Sequence, residues 1–306
     1  MTFKKGNYVR HPNDKTHEKW GVGVVVSEDN STAVSAFYEN ELRTITSLNS
    51  YVTLLKVENP GDSALLLDNA LYEEKGDRIP FPQVLDRFLK RFKGGLSGPV
   101  YMKEERDYKL AAHELALELL NKTRMKSLIE TEKWEALATD IKKVFSKAKL
   151  LASFEMIKLS DAFKTIEGAE HLSRAFYELL YGEGSMYQRI ESARLKFERY
   201  ELDKWPVVTY LPFIIFPKKY MFIKPTMTRE AAANRGFDIQ YSSQVNGSTY
   251  ERVQLFSREL LDRLNRDGRS ELHPIDMIDV QGFMWCTFAK GWKDEEIEKA
   301  ERELSA

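Results

Sequence analysis

The stretch GNYVRHPNDKTHEKWGVGVVVS, residues 6–27, decides how this chain is read. Its segments NYVRH and VGVVVS are rich in β-branched and aromatic residues and flank a polar turn, which is the pattern of short strands. Working outward, Asp29-Asn30 supplies a turn, TAVSAFY alternates Val34, Ala36 and Tyr38 with more polar neighbours, and VTLLKV ends the region at Val57. A handful of short strands in so short a stretch is too few for a flat sandwich and predicts a small, twisted SH3/Tudor-like β-barrel. Gly21 and Gly23 flank a single valine where a strand begins. Glycine relieves crowding at a barrel bend, and that reading outweighs contact with a ligand.

Beyond the opening the pattern becomes helical, so the expected class is α+β: the small N-terminal barrel followed by a mainly α-helical domain. Residues 59–83, with three prolines and two glycines, read as a connector. From Val84, VLDRFLKRF sets Val84, Leu85, Phe88, Leu89 and Phe92 against a basic face, and YMKEERDYKLAAHELALELLNK (101–122) carries an apolar stripe of Leu110, Ala111, Leu115, Leu119 and Leu120. Further helices are expected near 124–146, 153–165, 168–181 and 184–202, with Ser153, Ser160 and Ser185 as caps. From Lys204 proline alternates with aromatic residues, TMTREAAANRG reads as a short helix, FDIQYSSQVN as extended, and 249–268 as an amphipathic helix. The expected organisation is a barrel at 1–58, a connector at 59–83, a helical domain at 84–203, and a mixed, mainly helical part at 204–306 packed on it.

The order G-x-Y-V-R-H-P … W-G-V-G-V-V-V-S, followed by FYENELRTI and VTLLKV, resembles the small Tudor-like barrels at the C-termini of UvrD-type helicases and those of CarD-type transcription regulators. Gly6, Val9, His11, Pro12, Gly21 and Gly23 occupy the positions of that pattern, and the turn NDKTHEK is longer than the pattern has. The resemblance implies a barrel that grips a protein partner, such as RNA polymerase or a repair protein. Within it, Tyr8, Arg10, His11, Trp20 and Tyr38 are the candidate protein-binding residues, since aromatic and arginine side chains anchor interfaces. Trp20 reads equally well as core. The segments EERDYKLAAHE (104–114), YLPFIIFPKKYMFIKPTMT (210–228) and DMIDVQGFMW (276–285) resemble a bacterial protein family without an assigned activity.

Composition narrows the chemistry. The chain has 306 residues, with 46 Lys plus Arg against 47 Asp plus Glu, so no global field draws it to a polyanion. Its one cysteine, Cys286, excludes an internal disulfide and fits a reducing, cytoplasmic setting. The longest apolar run, VVTYLPFIIF (207–216), contains Pro212 and is too short for a membrane span. No signal peptide is read, and no membrane or cofactor is expected. The sequence lacks a phosphate-binding glycine loop, a dinucleotide fingerprint and a nucleophile elbow. His113-Glu114 falls short of a zinc-protease motif because Leu117 stands where the second histidine belongs. In ESARLKFERYELDK the Asp203-Lys204 pair lacks nuclease spacing.

Two basic stretches remain. Arg87, Lys90 and Arg91 lie close to acids, whereas Lys218, Lys219 and Lys224 interleave with Tyr220 and Phe222 in PKKYMFIKPTMT, which has no acid. Cations with aromatics suit sequence-tolerant strand binding, and Lys218, Lys219, Tyr220, Lys224, Arg87, Lys90 and Arg91 are the nucleic-acid candidates. A solvated cationic face over an aromatic core is the plainer reading of both. The sequence is therefore read as a non-enzymatic binding or adaptor protein of the transcription or repair machinery. The alternatives are a metal-dependent enzyme acting on nucleic acid, using Glu104, Asp107 and Glu114 or Glu198 and Asp203, and a subunit of a bacterial defence or toxin-antitoxin assembly.

Overall fold

The structure, a computed structural model, describes residues 81–288 with their side chains and, before them, the backbones of five strands: β1 (Tyr8–Arg10), β2 (Val22–Asp29), β3 (Ala33–Tyr38), β4 (Glu41–Thr46) and β5 (Leu55–Val57). Packing divides the chain into two units, one of Met1–Arg78 with Ala232–Asp238, the other of Ile79–Ala231 with Ile239–Ala306.

In the first unit the strands pair antiparallel in the order β4-β3-β2-β1-β5, with Tyr8 opposite Val24 on one side and Val57 on the other. The ladder between β2 and β3 shifts register between Val25 and Ser27. No pairing of β4 with β5 is found among the described residues. Residues 81–288 contain helices and no strand. The expected α+β class with an SH3/Tudor-like barrel is therefore corrected: the described structure is mainly α-helical, and it shows no barrel.

The helices of residues 81–288 are α1 (Phe81–Arg91), α2 (Pro99–Tyr101), α3 (Asp107–Leu119), α4 (Lys122–Glu130), α5 (Trp134–Lys147) and α6 (Ser153–Ala162). They continue with α7 (Ile166–Tyr181), α8 (Met186–Glu198), α9 (Trp205–Ile215), α10 (Pro225–Arg235), α11 (Gly247–Asn265) and α12 (Met277–Phe288). A π-helical turn, Met102–Arg106, joins α2 to α3. The expected helix at 124–146 is two, divided at Glu132, whose φ of 53° leaves the helical region. Ser185 does cap α8, accepting from the Gln188 N–H, but Ser160 lies inside α6, and Ala152, the residue just before α6, has its N–H matched by the Glu155 carboxylate.

The core is organised by α9. All eleven of its residues are buried. Pro206 sits in its first turn, where a missing N–H costs nothing, but Pro212 is internal and removes a helical bond. Burial of large side chains, about 1.5–3 kcal/mol each, outweighs that loss. Polar groups around it are matched individually. Tyr210 donates to the Val144 carbonyl at 2.7 Å and stacks on Phe145 at 4.6 Å, while Thr209 donates to the Trp205 carbonyl. His113 of α3 bonds the Ile214 carbonyl at 2.7 Å, satisfying the C-terminal turn of α9. Its role is structural. The segment after α9 returns along it, and the Ile223 N–H donates to Thr209 Oγ1 at 3.0 Å.

Among the described residues no helix is long and apolar enough to cross a membrane.

Candidate ligand cleft

That return segment determines where Lys224 lies. Running back beside α9, it delivers Lys224 next to the first turn of the helix, where Trp205 is, and α10 begins at the following residue. Here the start of α6, the start of α9, the start of α10 and the end of α12 surround a cleft of about 480 Å³. This volume is within the range of small-ligand sites. Trp205 and Met227 form buried wall, and Phe154 and Trp285 are exposed at 62% and 41%. The Trp205 indole is fixed by its Nε1–H, which donates to the Ser242 carbonyl at 2.8 Å.

The charged groups of the cleft are few. Lys224 Nζ donates to the Leu150 carbonyl at 3.2 Å and lies 5.4 Å from the centre of the Trp285 ring, a cation over an aromatic face. Lys204 also lines the cleft, and its Nζ pairs with Asp203 at 3.1 Å. Glu155 is the one acid in the lining, and its Oε2 accepts from the Ala152 N–H at 2.7 Å. Burial pushes the Glu155 carboxyl above the usual carboxylate range, and the Ala152 bond and the charge of Lys224 offset this only in part. Flat aromatic surface with two lysines can hold a planar body bearing an anionic group.

Of the seven nucleic-acid candidates named from sequence, only Lys224 lines this cleft. Lys218 and Lys219 are exposed beyond the other end of α9, and an eleven-residue helix separates its ends by about 15 Å. Tyr220 is engaged by Arg189, whose guanidinium donates to its hydroxyl at 2.9 Å. Arg87 and Lys90 are exposed on α1, while Arg91 pairs with Glu104 at 3.5 Å and lies 5.1 Å from the Phe92 ring. Tyr8, Arg10 and Tyr38 belong to strands described by backbone alone, and His11 and Trp20 lie outside the described residues. The carboxylates considered for a metal enzyme are not gathered: Glu104, Asp107, Glu114 and Glu198 are exposed, and Asp203 holds Lys204. Among the described residues no group of three or more His, Cys, Asp and Glu is placed to hold a metal ion.

Sequence reading missed Phe154, Trp205 and Trp285. Each sits in an apolar run that predicts core, and only the exposure of Phe154 and Trp285 in the folded chain separates cleft from interior.

Comparison with protein-family models, curated proteins and solved structures finds no match to this chain.

A second polar cluster lies away from solvent. Arg106 makes a bidentate pair with Asp276, both bonds 3.0 Å, and meets Asp279 at 2.7 Å. Tyr101 donates to Asp279 at 3.1 Å, and Lys109, fully buried, pairs with Glu105 at 3.1 Å. Burial raises Asp279 above the usual carboxylate range, against the Ile275 N–H and Arg106, and it lowers Lys109 despite the charge and hydrogen bond of Glu105. These groups satisfy one another and none of them lines the cleft, so the cluster joins helices rather than forming a site.

Proposed function

We propose that the helical unit is a non-enzymatic binding module for single-stranded nucleic acid, with one base entering the cleft. The observation that carries this reading is the placement of the Lys224 ammonium 5.4 Å from the ring centre of a partly exposed Trp285. A base has an aromatic face to stack on tryptophan, and its phosphate needs a cation beside that face. Lys204 on the same cleft supplies a second cation, and Phe154 extends the apolar surface. The chain's near-zero net charge suits local contact rather than a long-range field.

Fluorescence anisotropy of a labelled oligo(dT) tests it. Two phosphate contacts predict a log-log salt slope of about −1.4 for a single strand, and removal of one lysine brings it to about −0.7. Lys224→Ala should show that smaller slope, and Trp285→Ala should weaken binding at every salt concentration. Binding unaffected by both substitutions would refute the cleft as the binding site.

A further inference from the structure

Directly behind the cleft wall lies a buried polar group that the described residues match only weakly. Gln281 of α12 is 2% exposed, and its Oε1 has no hydrogen-bond partner among the described residues. Among the described residues its Nε2 meets only the thioether sulfur of Met227, at 3.6 Å, and thioether sulfur is a weak acceptor. Met227 lines the cleft, so the carboxamide stands one flexible side chain away from any ligand. Thr228, the next residue of α10, is fully buried, and its Oγ1 likewise has no partner among the described residues. Buried polar groups are almost always matched, so unmatched ones beside a cleft point to something that enters it.

We propose that Gln281 is the specificity residue of the cleft and that it selects adenine, an inference that rests on the binding reading above. A carboxamide presents an acceptor and a donor side by side. The adenine edge presents the complement, an exocyclic amino donor beside a ring-nitrogen acceptor, and glutamine pairs with it through two bonds. Entry of the base turns Met227 aside, Gln281 Oε1 accepts from the amino group, and Nε2 exchanges its sulfur contact for the ring nitrogen. With the carboxamide oriented as it is here, Nε2 on the side of Met227, thymine presents a carbonyl to Oε1 where adenine presents the amine, and pairing with thymine requires the carboxamide to turn over.

Competition of oligo(dA) and oligo(dT) for the full-length protein tests this, read by anisotropy. The expected result is a preference for dA of roughly five- to hundred-fold, the range of a good bidentate pair. Gln281→Leu should abolish the preference, and Met227→Ala should strengthen dA binding. A probe on the unmodified protein needs no variant: an oligonucleotide whose purine lacks the exocyclic amine should bind no better than dT. Equal affinity for dA and dT, retention of full affinity without the amine, or a preference surviving Gln281→Leu would overturn the assignment. If Gln281→Leu raises the melting temperature and leaves the preference intact, the carboxamide is an unmatched buried group with no ligand to serve and the proposal fails. Failure of every oligonucleotide to bind would overturn the binding reading itself, whereas equal binding of dA and dT removes only the role of Gln281.

Discussion

At the scale of single residues, Gly282 shows how closely α12 is fitted. A Cβ there would lie 2.4 Å from the hydroxyl oxygen of Tyr101, which is fully buried and bonded to Asp279. Gly282→Ala should therefore cost about 1–3 kcal/mol, as overpacking does, and show as an earlier urea midpoint at unchanged slope. An unchanged midpoint would mean that Tyr101 moves aside freely. Glu155 gives a second prediction. Its pKa is raised, so as pH falls through that raised value the cleft loses its one negative charge while phosphates and the two lysines stay ionised. Affinity for oligo(dT), which does not titrate there, should rise several-fold as pH falls through that window, and Glu155→Gln should give the tighter binding at all pH values. A pH-independent affinity in the unmodified protein would show that Glu155 does not face the ligand. Lys224 was legible in the sequence as a cation among aromatics, but Glu155 was not. Its helix-starting role depends on Ala152, a residue without capping chemistry of its own.

At the scale of elements, the junction of α2 and α3 departs most from sequence expectation. Periodicity assigned the buried stripe to Leu110, Ala111, Leu115, Leu119 and Leu120, and of these only Leu120 is fully buried, the others being half-buried. The rest of the interior positions go to Glu105, Lys109, Ala112 and Ala116. A π-helical turn sets Glu105 and Arg106 inward, and the partners of Arg106, Asp276 and Asp279, arrive from a segment about 170 residues later in the chain. No local pattern can announce an ion pair whose halves are so far apart. Arg106→Met should cost about 3–5 kcal/mol in chemical denaturation, because it leaves two buried carboxylates without their cation. Adding Asp276→Asn and Asp279→Asn should recover much of that loss. If Arg106→Met alone were neutral, the cluster would contribute nothing to holding α12 against the π turn. Helix α9 was obscured for another reason. Pro206 and Pro212 read as punctuation, and only complete burial, with His113 and Thr209 matching backbone groups, makes a helix of that segment.

At the scale of the molecule, a helix with one clear apolar face, such as α1, or with a recognisable cap, such as α8, was readable from sequence because the information is local. The N-terminal stretch was readable as strands, but closure depends on which edges pair, and β-branched composition does not carry that information. The basic patch divided for a similar reason. Lys218, Lys219 and Lys224 are near in sequence, and the return of the chain along α9 separates the first two from the third. What remains together is Lys224, Trp205, Trp285 and Lys204 around one cleft. Ultraviolet crosslinking of oligo(dT) to the full-length protein, with the adducts mapped by peptide mass spectrometry, tests that grouping most directly. Adducts in the peptides that carry Trp285 and Lys224 are the predicted result. Adducts confined to the α1 face of Arg87 and Lys90, or to Lys218 and Lys219, would contradict it.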